Sequence, residues 1–298
     1  MRSLVALVES DFSVSRAAAR LHLVQPAVSQ HLKRLEQELG TRLIQRRGKR
    51  LLGLTEAGER VLVHARAALA DTASILAVGR DYRGDASGVL RIGTTHTQAR
   101  YVLPPAIRQF RSDYPQVEVE IHQDSPRQLV DLLLHDAVDL AVCTEALSEH
   151  SELNSAPCYR WNRCLIAPLD HPVLAQRPLT LELLCEHPLV TYVFGFTGRR
   201  QFSNAFARDG LRPRVVLSAA DTDVIKTYVR EGMGLGVVVD LAFDPDQDRD
   251  LGMRSLAHLF PWEVTRIAWS RDKYLRTFQR DFIELFQRQA AALLGSRG

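Results

Sequence analysis

The chain has 298 residues, 46% hydrophobic and 24% charged, with 38 Lys and Arg against 35 Asp and Glu and a formal net charge of +3. That length exceeds one ordinary domain, and that composition excludes a disordered or fibrous chain, so two or three globular domains are expected. The cysteines Cys143, Cys158, Cys164 and Cys185 include no C-x-x-C pair, which argues against structural zinc. Free thiols are the simplest reading, with a redox pair of Cys158 and Cys164 as the alternative.

The charge is uneven. Residues 1–87 hold 14 basic residues against 9 acidic ones, a net of +5, which leaves −2 for the remainder of a +3 chain. Between Arg16 and Arg50 nine basic residues face only Glu36 and Glu38, so a polyanionic partner is expected for this segment. The first apolar run is interrupted by Glu9 and Asp11 with no small-residue cleavage site after it. No run approaches the roughly 18 apolar residues of a membrane helix, so a cytoplasmic protein with no membrane partner is expected.

In chain order, Arg2 to Val8 reads as the tail of a first helix, and Ser13 or Ser15 caps a second through Ala17, Ala18 and Leu21. After a break at His22-Leu23-Val24, Gln25-Pro26 opens a third helix, since proline suits a first turn. Val28, Leu32, Leu35 and Leu39 give it one apolar face, and Gly40 ends it. The opposite face presents Ser29, Gln30, Lys33 and Arg34. This is a helix-turn-helix with a recognition helix: Gln and Arg suit base edges in the major groove, Ser and Lys suit phosphates. Arg46-Arg47-Gly48-Lys49-Arg50 and the following Leu51 to Thr55 read as a basic wing whose charges meet phosphates, although a solvated turn is the alternative for the charge run by itself. The candidate DNA contacts are Gln25, Pro26, Ser29, Gln30, Lys33, Arg34, Arg46, Arg47, Lys49, Arg50 and Thr55. Thr55 also suits the N-cap of a long helix in which Leu62, Leu69 and Leu76 recur seven apart, a dimerising pattern; Gly79 to Gly88 reads as a linker.

The run Ala17-Ala18-Ala19-Arg20-Leu21, then Gln25 to Gln30, Leu35-Glu36, Leu39-Gly40 and Leu54-Thr55-Glu56-Ala57-Gly58 closely resembles the N-terminal signature of LysR-type transcriptional regulators. The chain enters the first helix a few residues later than that signature does, so either a start further upstream or a shortened first helix is expected.

From Val89 strands and helices alternate, in two βαβ blocks that imply a two-lobed α/β receptor. Between the strand-like Val89 to Gly93 and a helix lies Thr94-Thr95-His96-Thr97-Gln98-Ala99-Arg100-Tyr101. Its hydroxyls and amide, set at a helix N-terminus, suit an anion bound by neutral donors. Simple capping by Thr95 or Thr97 is the alternative. His96 and Arg100 are left out of this site. Gly232-x-Gly234-x-Gly236 precedes a strand and so reads as a turn, whereas a dinucleotide fingerprint would open a helix. No G-x-S-x-G, H-E-x-x-H or metal-spaced His pair is present, so a DNA-binding switch is expected and an enzyme is not; an enzyme fused to a DNA-binding unit is the more distant alternative.

Thr94 to Tyr101, Thr144 to Leu147, Cys158-Tyr159-x-Trp161-Asn162-Arg163, Leu189 to Arg199 and Asp223 to Arg230 resemble the CysB subgroup of that family, which regulates sulfur assimilation and cysteine synthesis. The resemblance implies a winged helix-turn-helix (1–58), a linker helix and hinge (59–87), and a periplasmic-binding-protein-like effector domain (88–298). Its lobes would be about 88–163 with 267–298, and about 164–266. It implies Thr95, Thr97, Gln98, Thr144, Trp161 and Thr197 around an acetylserine or a sulfate-like anion, with no cofactor and no metal. It also implies promoter DNA and RNA polymerase as partners and a homotetramer built as a dimer of dimers. A sister regulator of alkanesulfonate use that senses adenosine phosphosulfate is the alternative within the subgroup.

Overall fold

The computed structural model describes residues 1–48, 50–193 and 198–295. They form two units, Met1–Arg83 and Gly84–Gly298.

The first unit contains α1 (Arg2–Val8), α2 (Val14–Arg20), α3 (Gln25–Glu38), β1 (Ile44–Arg47), β2 (Arg50–Leu54) and α4 (Glu56–Tyr82). Ser13, not Ser15, caps α2, accepting from the Arg16 amide at 3.4 Å. α3 starts at Gln25 with Pro26 in its first turn, and Gly40 at φ 64° turns the chain out of it. Leu4, Leu7, Ala17, Val28, Leu32, Leu43, Ile44 and Leu62 make the core. The apolar face expected through Leu39 stops one turn short: Leu35 is half-buried, and Leu39, at the cap, is exposed. β1 and β2 pair antiparallel as the wing. At Gly58 a Cβ would collide with the Leu43 carbonyl, so only glycine lets α4 pass this close.

Thr55 caps α4 by accepting from the Gly58 amide at 3.0 Å. The helix runs 27 residues and passes straight through Gly79, so the expected linker begins later, where the two units divide after Arg83. Leu62 and Ala65 are buried, but Val63, Ile75 and Leu76 are 66%, 71% and 53% exposed. α4 is long and apolar enough to cross a membrane by length and composition, which corrects the expectation that no run comes near this.

The second unit carries two five-stranded sheets. The first comprises β3 (Gly88–Thr94), β4 (Val117–Gln123), β5 (Leu140–Cys143), β6 (Leu153–Trp161) and β12 (Glu263–Ser270), in the order β4-β3-β5-β12-β6. The second comprises β7 (Arg163–Pro168), β8 (Leu189–Tyr192), β9 (Val215–Ala219), β10 (Leu235–Val239) and β11 (Leu251–Ser255), in the order β11-β7-β10-β8-β9. β3 runs parallel to β4 and β5, and β8 parallel to β9 and β10, as crossover helices require. The helices are α5 (His96–Tyr101), α6 (Leu103–Asp113), α7 (Pro126–Leu134) and α11 (Thr277–Gly295) with the first sheet, and α8 (Leu181–Cys185), α9 (Arg199–Arg208) and α10 (Thr222–Arg230) with the second.

The chain crosses between lobes at Asn162, and returns before Glu263, which already pairs with Trp161 in the first sheet. The return therefore precedes residue 267, and Arg163 belongs to the second lobe's sheet. The two crossovers are tied together where Asn162 and Phe260 are buried: Asn162 Nδ2 donates to the Phe260 carbonyl at 3.1 Å, while Pro261 and Trp262 beyond it are exposed. Gly232 (φ 73°) and Gly234 (φ 155°) turn the chain from α10 into β10, where a Cβ on Gly234 would strike the Pro188 carbonyl.

Candidate functional site

Strand β3 ends at Thr94, whose hydroxyl donates to the Val142 carbonyl at 2.9 Å and is thereby bound into the sheet. Thr95 occupies the N-cap position of α5, yet its side chain makes no capping bond and instead donates to Gln98 Oε1. The capping alternative therefore does not describe Thr95. Thr97 and Gln98 are buried on the same short helix.

At the end of β5, Thr144 Oγ1 accepts from Trp161 Nε1 at 3.0 Å and lies 3.0 Å from Thr265 Oγ1. The Tyr159 hydroxyl lies beside both Thr265 and Gln98, which links this group to α5. Five of the six residues expected around an effector thus lie in one neighbourhood of the first lobe: Thr95, Thr97 and Gln98 on α5, and Thr144 and Trp161 beside Thr265 and Tyr159. Thr197, the sixth, lies outside the described residues. Thr191 donates to the Val237 carbonyl at 2.9 Å inside the second sheet.

Much of this hydrogen-bonding capacity is directed inward, Thr95 to Gln98 and Trp161 to Thr144. What is left over is informative. Thr97 Oγ1, Tyr159 Oη, Glu145 Oε2 and Arg163 Nη1 are buried without a well-formed partner, each of which ordinarily costs about 1–3 kcal/mol. Glu145 and Arg163 meet at Gly198, and Thr97 and Gln98 share α5 with the Tyr159 hydroxyl beside Gln98, so these atoms belong to neighbouring parts of the fold. Thr97 lies beside the Tyr192 hydroxyl, whose nearest partner is Thr222 Oγ1 at 2.6 Å.

The charged groups near these residues were not legible in the sequence. Gly198, at φ 69°, is gripped on both sides: its amide donates to Glu145 Oε1 at 2.8 Å, and its carbonyl accepts from Arg163 Nη2 at 2.6 Å. Arg163 also pairs with Glu263 at 3.0 Å and lies over the Trp161 ring, 5.3 Å from its centroid. A Cβ at Gly198 would run into Arg163 and Glu263, so the left-handed glycine is required twice over. Burial pushes the Glu145 carboxyl above the ordinary glutamate range, against the opposing pull of the Gly198 amide. Burial lowers the Arg163 guanidinium, while Glu263 raises it.

His96 and Arg100, set aside in the sequence, face Asp223 of the second lobe: Nε2 of His96 at 3.1 Å, Nε of Arg100 at 2.7 Å. His96, Asp221 and Asp223 bring potential ligand atoms within 4.8 Å of one another. The Arg100 guanidinium already supplies the positive charge there.

The cysteines are free, and burial pushes Cys158 up to about 12 and Cys164 further. Such thiols resist ionisation, which weighs against the redox alternative.

On the other unit, Gln25, Pro26, Ser29, Gln30, Lys33 and Arg34 are all exposed on α3. Arg34 pairs with Glu38 at 2.8 Å, a surface contact that water readily exchanges. Arg47 and Arg50 stand opposite each other at the tip of the wing, and Lys49 between them lies outside the described residues. Two members of the candidate set have structural partners. Arg46 pairs with Glu36 at 3.0 Å, and Thr55 donates to the Arg42 carbonyl at 2.7 Å while capping α4. Glu36 was not singled out in the sequence; its Oε1 also accepts from the Leu43 and Ile44 amides at 2.9 and 3.2 Å, fastening wing to recognition helix.

Comparison with known proteins follows this division. Residues 1–59 match the family described as "Bacterial regulatory helix-turn-helix protein, lysR family", and residues 83–291 match "LysR substrate binding domain". The chain is 44% identical over 278 residues to the HTH-type transcriptional regulator CysB of Burkholderia cenocepacia, covering 93% of this chain and 89% of that protein. It is 41% identical over 279 residues to SsuR of the same organism, covering 94% and 91%. The crystal structure of the cofactor-binding domain of the Cbl transcriptional regulator superposes with a TM-score of 0.66 at 39% identity, covering 70% of this chain and 94% of that one.

Proposed function

The chain belongs to the LysR family of bacterial transcriptional regulators, and from that premise we propose that it controls sulfur-assimilation and cysteine-synthesis genes in response to a sulfate-like or acetylserine effector. It is a regulator and not an enzyme. The observation that carries the effector reading is the grouping of neutral donors from α5, Thr144 and β6 beside buried polar atoms without a well-formed partner, which this reading takes as the wall of an effector cleft.

Hydroxyl, amide and indole N–H groups can surround sulfate or a carboxylate. Thr197 joins the set through the family resemblance alone. The exposed face of α3 enters the major groove of promoter DNA, and Arg47, Lys49 and Arg50 hold phosphates. The exposed Ile75 and Leu76 of α4 pack against a second copy, and two such dimers form the tetramer. Effector binding shifts the packing of receptor units, alters the DNA bend and so changes contact with RNA polymerase. Similarity to SsuR supports a second reading, regulation of alkanesulfonate use by adenosine phosphosulfate, whose sulfate group suits the same donors.

Calorimetric titration of the full chain with sulfate, N-acetylserine, O-acetylserine and adenosine phosphosulfate tests both. Heat with one of the first three supports the cysteine reading, and heat with adenosine phosphosulfate alone supports the second. No heat with any of the four overturns the effector assignment.

A further inference from the structure

The segment Asp223 to Arg230 has no role in the site as described so far, yet it forms the face of α10 that meets the ligand-reading helix. Asp223 Oδ1 accepts from the Tyr101 hydroxyl at 2.8 Å. Its Oδ2 takes His96 Nε2 at 3.1 Å and Arg100 Nε at 2.7 Å. Three side chains of one lobe thus converge on a single carboxylate of the other. Lys226, one turn along α10, is 3.5 Å from the same Tyr101 hydroxyl and pairs with the buried Asp248 at 2.6 Å. Arg230, one turn further, grips Asp248 at 3.0 Å and Asp250 at 2.6 Å.

α5 has only six residues, too few to keep its orientation by its own backbone bonds. His96 and Arg100, four apart, lie on one face of it, and Thr97 and Gln98 lie on the face buried in the cleft. A force that holds the first face therefore sets the position of the second. We infer that Asp223 is a positioning residue: it latches α5 to the second lobe and so sets the affinity of the cleft for its effector. The latch follows from the geometry, and its consequence for affinity rests on the effector reading above. Asp223, His96 and Arg100 are 34%, 29% and 50% exposed, so the contact can open and reform in water.

The test uses the full chain with Asp223→Asn, which keeps the shape and removes the charge, and with the exchanged pair Arg100→Asp/Asp223→Arg. Hydrogen exchange is followed without ligand at the Ala99 and Val102 amides, which bond to the Thr95 and Gln98 carbonyls. Asp223→Asn should speed exchange there about tenfold while β3 and β10 keep their protection, and the exchanged pair should restore it. Sulfate should bind Asp223→Asn about tenfold more weakly than wild type. If Asp223→Asn fails to fold, Arg100→Leu removes the same contact from the other side. Unchanged exchange at Ala99 and Val102, or no recovery in the exchanged pair, overturns the latch. If wild type binds no sulfate, the exchange measurement alone decides the latch, and the effector reading is decided by the titration with the other three ligands.

Discussion

The indole nitrogen of Trp161 donates to Thr144 Oγ1 at 3.0 Å, tying the last residue of β6 to the end of β5. Thr265 lies 3.0 Å from the same oxygen, so one hydroxyl joins three elements of the first lobe. Thr144→Val removes it and leaves the Trp161 N–H buried with no partner. Urea denaturation should show a loss of about 1–3 kcal/mol, and Thr144→Ser should recover most of it. A loss below a few tenths would show that another group takes over the indole.

Thr97→Val should have the opposite sign on stability. Its hydroxyl is buried without a well-formed partner, so replacing it by a methyl relieves a polar group. The ligand-free protein should gain up to about 1 kcal/mol in the same denaturation experiment while its sulfate affinity falls. A residue serving only the fold would not separate the two measurements in this way.

Glu145 gives a pH dependence of determined sign. Its folded-state pKa is raised by burial, so the folded chain holds this proton more tightly than the unfolded chain does. The stability from protonated Glu145 is fully present below the ordinary glutamate value of 4.5 and is lost as pH rises through the raised folded value. Glu145→Gln lacks that loss. Denaturation of the two proteins across pH 4 to 8 should show a difference that grows in favour of Gln over this window, then levels off.

On the DNA side, Arg47→Ala and Arg50→Ala should each flatten the dependence of log affinity on log salt by about 0.9, the change for one lost phosphate contact on duplex DNA. Gln30→Ala should keep the slope and reduce discrimination between operator and altered bases by about 1–3 kcal/mol. Fluorescence anisotropy with one promoter fragment and its point variants measures both.

Ile75→Glu with Leu76→Glu should dissociate the oligomer. Both side chains are more than half exposed on α4, so charging them leaves the monomer's core untouched. Sedimentation should report a smaller species, with promoter binding weakened because two half-sites are no longer engaged together.

The sequence was most readable where one periodicity or one cap decided the outcome. Val28 and Leu32 are buried as their spacing requires, Thr55 caps α4, and Gly232 and Gly234 make a turn. Within the cleft, Thr95, Thr97 and Gln98 were legible because they sit together in the chain between a strand and a helix. Arg163, Glu145 and Glu263 were not, because their meaning depends on Gly198 and on crossings between lobes that bring distant residues together. His96 and Arg100 were set aside for the same reason: their partner Asp223 lies more than a hundred residues away and in the other lobe. The linker was placed early because a glycine in a strongly apolar helix does not by itself end it, and α4 runs on through Gly79 to Tyr82.

The inward pairing of Thr95 with Gln98 and of Trp161 with Thr144 would make the proposed effector site selective by comparison. An incoming anion is weighed against bonds the protein already makes with itself, so only a solute that can engage several of these donors at once displaces them. Chloride, a single spherical acceptor, replaces too few. On the proposed effector reading, simple salts should therefore compete poorly at this site, and the threshold for response would lie in the protein's own side chains.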